Sequence, residues 1–234
     1  MKIIAGNWKM NGSRETLTEM VAGLQNIETN NTVILCVPYT MLGLTTGRVA
    51  LGAQDVSTHT HGAYTGEISA QMIADTGAKY VIVGHSERRQ YHNESNSTVR
   101  EKATQALANG LIPIICVGET MDEKQAGKTM VVIESGVRES VPSDVNTPII
   151  IAYEPRWAIG AGLTPTAAEI AEAHTLIAKT LRDMGLGGTP ILYGASVKGS
   201  NAAEIMSIPN VDGVLVGGAS LKCDDFIPII TSVK

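Results

Sequence analysis

Eight short apolar runs, each too brief for an ordinary helix, limit what this chain can fold into more than any other feature of its sequence. They fall at residues 2–8, 33–37, 50–53, 80–83, 112–117, 149–153, 190–193 and 213–216. Several are apolar at consecutive positions and rich in β-branched side chains, as in Ile149-Ile150-Ile151-Ala152-Tyr153, the pattern of strands covered on both faces. The intervening stretches carry helical periodicity, clearest at residues 16–27, 98–108, 130–140 and 167–184, where apolar positions recur every three or four residues. Thr98-Val99-Arg100-Glu101 and Thr166-Ala167-Ala168-Glu169 have the spacing of capping boxes, and Gly110 is placed to stop a helix. Doubly buried parallel strands need a crossover helix apiece, so this alternation predicts one (β/α)8 barrel over residues 1–234. An open doubly wound sheet is the second arrangement. Residues 38–49 leave little room for a full second helix.

Composition narrows the partners. Apolar residues make up 44% of the chain, enough for one large core, and the 24 glycines are dispersed instead of forming a linker. A net charge of −5 argues against a nucleic-acid surface, which needs clustered Lys and Arg to replace phosphate counterions. Any anionic ligand must therefore be held locally. The N-terminus enters a strand pattern without a long apolar leader, so a cytoplasmic protein with no membrane association is expected. Cys36, Cys116 and Cys223 are widely spaced and odd in number, which favours reduced thiols over a disulfide or zinc framework. Cys116 remains a candidate nucleophile.

In such a barrel, reactive groups gather at the carboxyl ends of the strands. The unusual residues fall there repeatedly: Asn7 and Lys9, His85, Glu119, Glu154, Ser196, Gly217 and Gly218. Glu154 closes the sixth apolar run and precedes Pro155-Arg156-Trp157-Ala158-Ile159-Gly160-Ala161-Gly162. A solvated strand-end Glu followed by a plain turn has no use for Trp157, Ile159 and two glycines, whereas a water-excluding lid does. His85 opens a helix, whose positive end predicts a lowered pKa and a neutral ring able to donate to a carbonyl oxygen. Lys9 can stabilise an oxyanion or a phosphate. Gly194-Ala195-Ser196 and Gly217-Gly218-Ala219-Ser220 offer exposed amides after the last two strands, where barrels commonly bind phosphate.

Three motifs are set aside. Gly84-His85-Ser86 lacks the Gly that a serine-hydrolase elbow needs at position 88, occupied by Arg88. Gly127-Lys128-Thr129 ends like a phosphate-binding P-loop, but Asp122 stands where the first Gly belongs. His59-Thr60-His61 has no third ligand nearby, so no metal is expected.

With these residues placed, Gly6-Asn7-Trp8-Lys9-Met10-Asn11-Gly12, Gly62-Ala63-Tyr64-Thr65-Gly66-Glu67, Gly84-His85-Ser86-Glu87-Arg88-Arg89 and Ala152-Tyr153-Glu154-Pro155 resemble the signatures of the triosephosphate isomerase family. The resemblance implies a TIM barrel that interconverts dihydroxyacetone phosphate and D-glyceraldehyde 3-phosphate through an enediolate, a step of glycolysis and gluconeogenesis, without a cofactor. It implies Glu154 as base, His85 as proton shuttle and Lys9 as electrostatic stabiliser. Asn7 would position substrate, and Gly160, Ser196, Gly217 and Gly218 would hold its phosphate. It also implies a homodimer in which residues 62–67 insert into the partner, Thr65 approaching Asn7 and Lys9 there. Three positions depart from the family: Arg156 replaces a small apolar residue, Ala161 a Thr and Ala195 a Gly. A positive φ at Ala195 would add roughly 1 kcal/mol to lid closure. These departures keep open a phosphosugar-binding protein with little catalysis, and Lys9 keeps open a Schiff-base aldolase.

Overall fold

The computed structural model describes residues 1–44, 47, 49–143, 145, 147–159 and 163–233. The apolar runs form eight strands: β1 (Ile3–Asn7), β2 (Thr32–Cys36), β3 (Ala50–Ala53), β4 (Tyr80–Val83), β5 (Ile112–Val117), β6 (Ile150–Tyr153), β7 (Ile191–Tyr193) and β8 (Gly213–Val216). Each pairs in parallel with its sequence neighbour, and β1 pairs with β8, Ile3 opposite Gly213, to close the barrel. The open-sheet alternative is thereby excluded.

Described helices pack around the barrel as α1 (Arg14–Leu24), α2 (Ala70–Asp75), α3 (Ser86–Tyr91), α4 (Asn96–Ala108), α5 (Met121–Gln125), α6 (Thr129–Ser140), α7 (Ala167–Asp183), α8 (Ala202–Ser207) and α9 (Cys223–Ile230). Between β2 and β3 the described residues hold only a 3-10 turn, Tyr39–Met41, in keeping with the short connection.

Burial follows the strand period of two. In β5, Ile114 and Cys116 point into the barrel with Ala5, Ile34, Ile82, Ala152, Leu192 and Leu215. Ile115 and Val117 point outward into the layer beneath the helices, with Val83, Val99, Ile133 and Ile151. This is why the strands read as continuous apolar runs.

Helix ends show where local signals held. At α7, Thr166 Oγ1 accepts from the Glu169 amide at 3.2 Å, and Glu169 Oε2 accepts from the Thr166 amide at 2.8 Å. Gly110 has φ +73°, a conformation that stops α4. The expected box at Thr98 is displaced: Ser95 caps α4 by accepting from the Thr98 amide at 3.2 Å, so the helix begins at Asn96. Helices of five or six residues, such as α3, α5 and α8, are too short to show a period.

Candidate active site

The centre of the site is a contact between side chains 69 positions apart in the chain. Glu154 follows β6 and is 3% exposed, while His85 caps α3 and is 5% exposed. His85 Nε2 lies 3.0 Å from Glu154 Oε1, and the Ser86 amide donates to Oε2 at 3.0 Å. Two glycines permit this approach. Gly84 has φ +67°, and a Cβ there would lie 2.5 Å from Val99. At Gly118 an added Cβ would lie 1.8 Å from the Glu154 carbonyl oxygen, so only Gly fits beside the segment that carries Glu154.

The environment sets the protonation states. Burial works to raise the Glu154 carboxyl, but the His85 ring, the Ser86 amide and the Cys116 thiol outweigh it and hold Glu154 below the usual carboxylate value. It is an ionised base. For His85, burial pulls downward, yet the facing Glu154 carboxylate dominates and raises the ring above the ordinary histidine value. This corrects the lowered value expected from the helix terminus alone. The helix contributes instead through the Glu87 amide, which donates to Nδ1 at 3.2 Å. A ring that accepts at Nδ1 carries its proton on Nε2, the atom turned toward the site.

Lys9 has φ +54°, a left-handed turn stabilised by its amide donating to Asn7 Oδ1 at 2.9 Å. Its ammonium meets Glu87 Oε1 at 2.6 Å. A Cβ built on Gly217 would sit 3.7 Å from Lys9 Cε, so this side chain spans from α3 toward the loop after β8.

Across the mouth lies a cavity of about 280 Å³ lined by Asn7, Lys9, His85, Glu154, Ser196, Gly217 and Gly218, together with Ile159 and Lys198. Seven of the site residues expected from the sequence thus border one space, while Gly160 lies outside the described residues together with Ala161. The β7 loop is tied in place by Asn201, whose side chain accepts from the Lys198 amide at 2.8 Å and donates to the Ser196 carbonyl at 3.1 Å. Ala195 is not among the described non-glycine residues with positive φ, so this conformation carries no strain there.

Glu119 does not reach the cavity. It is buried behind the turn that follows Glu154, where it accepts from Trp157 Nε1 at 2.8 Å and from Tyr153 OH at 3.3 Å. That segment is a 3-10 turn, Arg156–Ala158, with the Arg156 amide bonded to the Glu119 carbonyl at 2.9 Å. Cys116 is buried, and burial with the facing Glu154 carboxylate pushes its thiol well above the ordinary value. It is no nucleophile at neutral pH. Of the motifs set aside, Lys128 is the residue before α6, and the His59 ring stacks on Tyr64 at 3.6 Å. Sequence reasoning missed Ser86, Glu87, Gly118, Lys198 and Asn201. Only Ser86 and Glu87 had a local signal, as the first residues of the helix that His85 opens.

Comparison with known proteins agrees with this architecture along the whole chain. The family model described as triosephosphate isomerase matches residues 2–233. The triosephosphate isomerase of Acidiphilium cryptum is 46% identical over 247 residues, covering 99% of this chain and 98% of the relative. That of Mesorhizobium japonicum is 48% identical over 245 residues, covering 99% and 96%. The crystal structure of triosephosphate isomerase from Bartonella henselae superposes with a TM-score of 0.87 at 40% identity, covering 99% of this chain and 98% of that one. A barrel closed in sequence order, a carboxylate against an imidazole at its mouth and matches that run from end to end lead to one conclusion: the chain belongs to the triosephosphate isomerase family.

Proposed function

We propose that this chain interconverts dihydroxyacetone phosphate and D-glyceraldehyde 3-phosphate, with Glu154 moving the proton between the two carbons. The observation that carries the reading is the pairing of an ionised Glu154 with an Nε2-protonated His85 at the edge of a cavity that also holds Lys9. Glu154 takes a proton from the carbon beside the carbonyl and returns it to the neighbouring carbon, so one base serves both directions. His85 donates from Nε2 to the substrate oxygen. A carbonyl oxygen against Nε2 in place of the Glu154 carboxylate removes the largest influence that raises the ring, and burial, Lys9 and the Glu87 amide then favour the neutral form against the weaker upward pull of the Glu87 carboxylate. Lys9 offsets the negative charge that develops on the enediolate, and Asn7 fixes the turn that carries Lys9. Amides at Ser196, Gly217 and Gly218, with Gly160 from the lid, hold the phosphate. Closure of residues 155–162 excludes water, which strengthens these electrostatic terms and protects the intermediate.

No cofactor enters this scheme. A Schiff-base route through Lys9 is disfavoured because the amine is engaged with Glu87 as an ammonium. The test is steady-state turnover of glyceraldehyde 3-phosphate by the purified protein. Robust isomerisation is expected; binding of a phosphorylated enediolate mimic without turnover would point to the binding-protein alternative.

The reading includes a homodimer. Residues 59–67 are exposed and hold their own shape, the Tyr64 amide bonding the Gly62 carbonyl and the Glu67 amide the Tyr64 carbonyl. Met10, beside Lys9, is 96% exposed. A projecting ordered loop and a bare apolar side chain beside the site suit burial against a second copy. Sedimentation at micromolar concentration should give twice the 24.7 kDa chain mass. Among the described residues no helix is long and apolar enough to cross a membrane, and a cytoplasmic location belongs to the same proposal.

A further inference from the structure

Two lysines line the active-site cavity, and one of them is already engaged. Lys9 holds Glu87 at 2.6 Å, so much of its charge is balanced before any ligand arrives. Lys198, after β7, is exposed at the rim of the same cavity and has no carboxylate within ion-pair distance among the described residues. The loop around it is fixed. The Asn201 side chain accepts from the Lys198 amide and donates to the Ser196 carbonyl, while the Lys198 carbonyl accepts from the amides of Asn201 and Ala202 at 3.1 and 3.0 Å. One bracket therefore sets both the small-residue turn facing the cavity and the root of the lysine. The rest of the molecule works against an anion, since its net charge is −5.

From this placement we infer that Lys198 draws the phosphate group into the cavity mouth and offsets part of its charge on arrival, a specificity-determining role for phosphorylated over unphosphorylated trioses. The inference rests on the isomerase reading above. A single uncompensated cation at a concave rim raises the local concentration of a dianion, and its reach is about 10 Å at 0.1 M ionic strength. It makes no covalent step and does not move a proton. Its effect belongs in kcat/KM and in its salt dependence, with little change in kcat.

The experiment measures kcat/KM for glyceraldehyde 3-phosphate in the native enzyme, Lys198→Gln, Lys198→Glu and Lys198→Arg, at ionic strengths of about 20 and about 300 mM. Lys198→Gln should lose roughly 3-fold at low salt and almost nothing at high salt, Lys198→Glu roughly 10-fold at low salt, and Lys198→Arg should stay near native. Glyceraldehyde, which lacks the phosphate, should be turned over equally by all four. Calorimetric titration with inorganic phosphate needs no turnover and should show the same ranking. A loss that is equal at both ionic strengths, falls in kcat, or appears equally with glyceraldehyde overturns the assignment, as does no loss at all. Absence of turnover in the native enzyme strikes the isomerase reading instead, and phosphate affinities that ignore Lys198 then strike this one independently.

Discussion

The two halves of the barrel mouth are built on different principles. At the ends of β1, β4 and β6, the side chains proposed to carry the chemistry are ionisable, and each is clamped: Glu154 by His85 and the Ser86 amide, His85 by the Glu87 amide, Lys9 by Glu87. On the β7 and β8 side, small residues line the cavity and the fastening is done one layer behind, by Asn201. The difference suits the tasks proposed for the two sides. Proton transfer depends on the position of one oxygen to within a fraction of an ångström, whereas a phosphate with equivalent oxygens can be gripped by several amides, none of which is decisive.

If that contrast is right, the largest effect comes from moving the base. Glu154→Asp withdraws the carboxylate by one methylene while keeping its charge. We expect kcat to fall roughly 100-fold or more, with a modest change in KM, because misplacement of about 1 Å costs this much in a near-attack geometry. Steady-state kinetics in both directions checks it, and an unchanged kcat removes Glu154 from the mechanism. Next comes Gly118→Ala, whose methyl would meet the Glu154 carbonyl oxygen at 1.8 Å. Backbone must shift to relieve that contact, so destabilisation of about 3 kcal/mol and a further loss of kcat are expected, read by denaturant melts and turnover.

Much of this was legible before the structure. The strand count, the sequence-order barrel and the strand-end placement of Lys9, His85 and Glu154 all follow from local pattern, because a doubly buried strand advertises itself residue by residue. What stayed hidden is set by contacts between distant segments. The His85 pKa was expected to fall because its own helix was the only visible neighbour; the carboxylate that raises it arrives from β6. Gly118 looked like any loop glycine until Glu154 was packed on it. Ser95 took the cap from Thr98 because two hydroxyls one turn apart compete for the same role, and sequence cannot rank them. Glu119 sits at a strand end as expected but turns away from the mouth, drawn by Trp157.

The clamped half also has a titratable pillar. His174 on α7 is fully buried, packs edge-on to Tyr153 at 5.8 Å, and bonds the Asn210 carbonyl through Nδ1 at 2.9 Å. Burial lowers its pKa from 6.5 to about 4. Since the folded value is depressed, the unfolded chain binds the proton first as pH falls. Stability is full above about pH 6.5 and is lost progressively down to about pH 4, by up to about 3 kcal/mol. Melts across that window should show this acid limb, and His174→Gln should flatten it. A limb of unchanged slope in the variant would place the loss elsewhere.

The smallest expected effect is the sharpest test of the contrast. Gly218→Ala makes the same chemical change as Gly118→Ala, on the other side of the mouth, where nothing lies within 4 Å of the added methyl. Gly218 is not among the glycines with positive φ, so Ala meets no backbone penalty in this conformation. Stability should stay within about 0.5 kcal/mol of native. The methyl does stand beside an amide proposed to grip phosphate, so KM should rise by a few-fold while kcat holds, since each amide contributes only about one hydrogen bond's worth of binding. Should Gly218→Ala instead cost kcat as heavily as Gly118→Ala, both halves would be positioning the reacting atoms, and the division between a clamped reactive side and a tolerant gripping side would not hold.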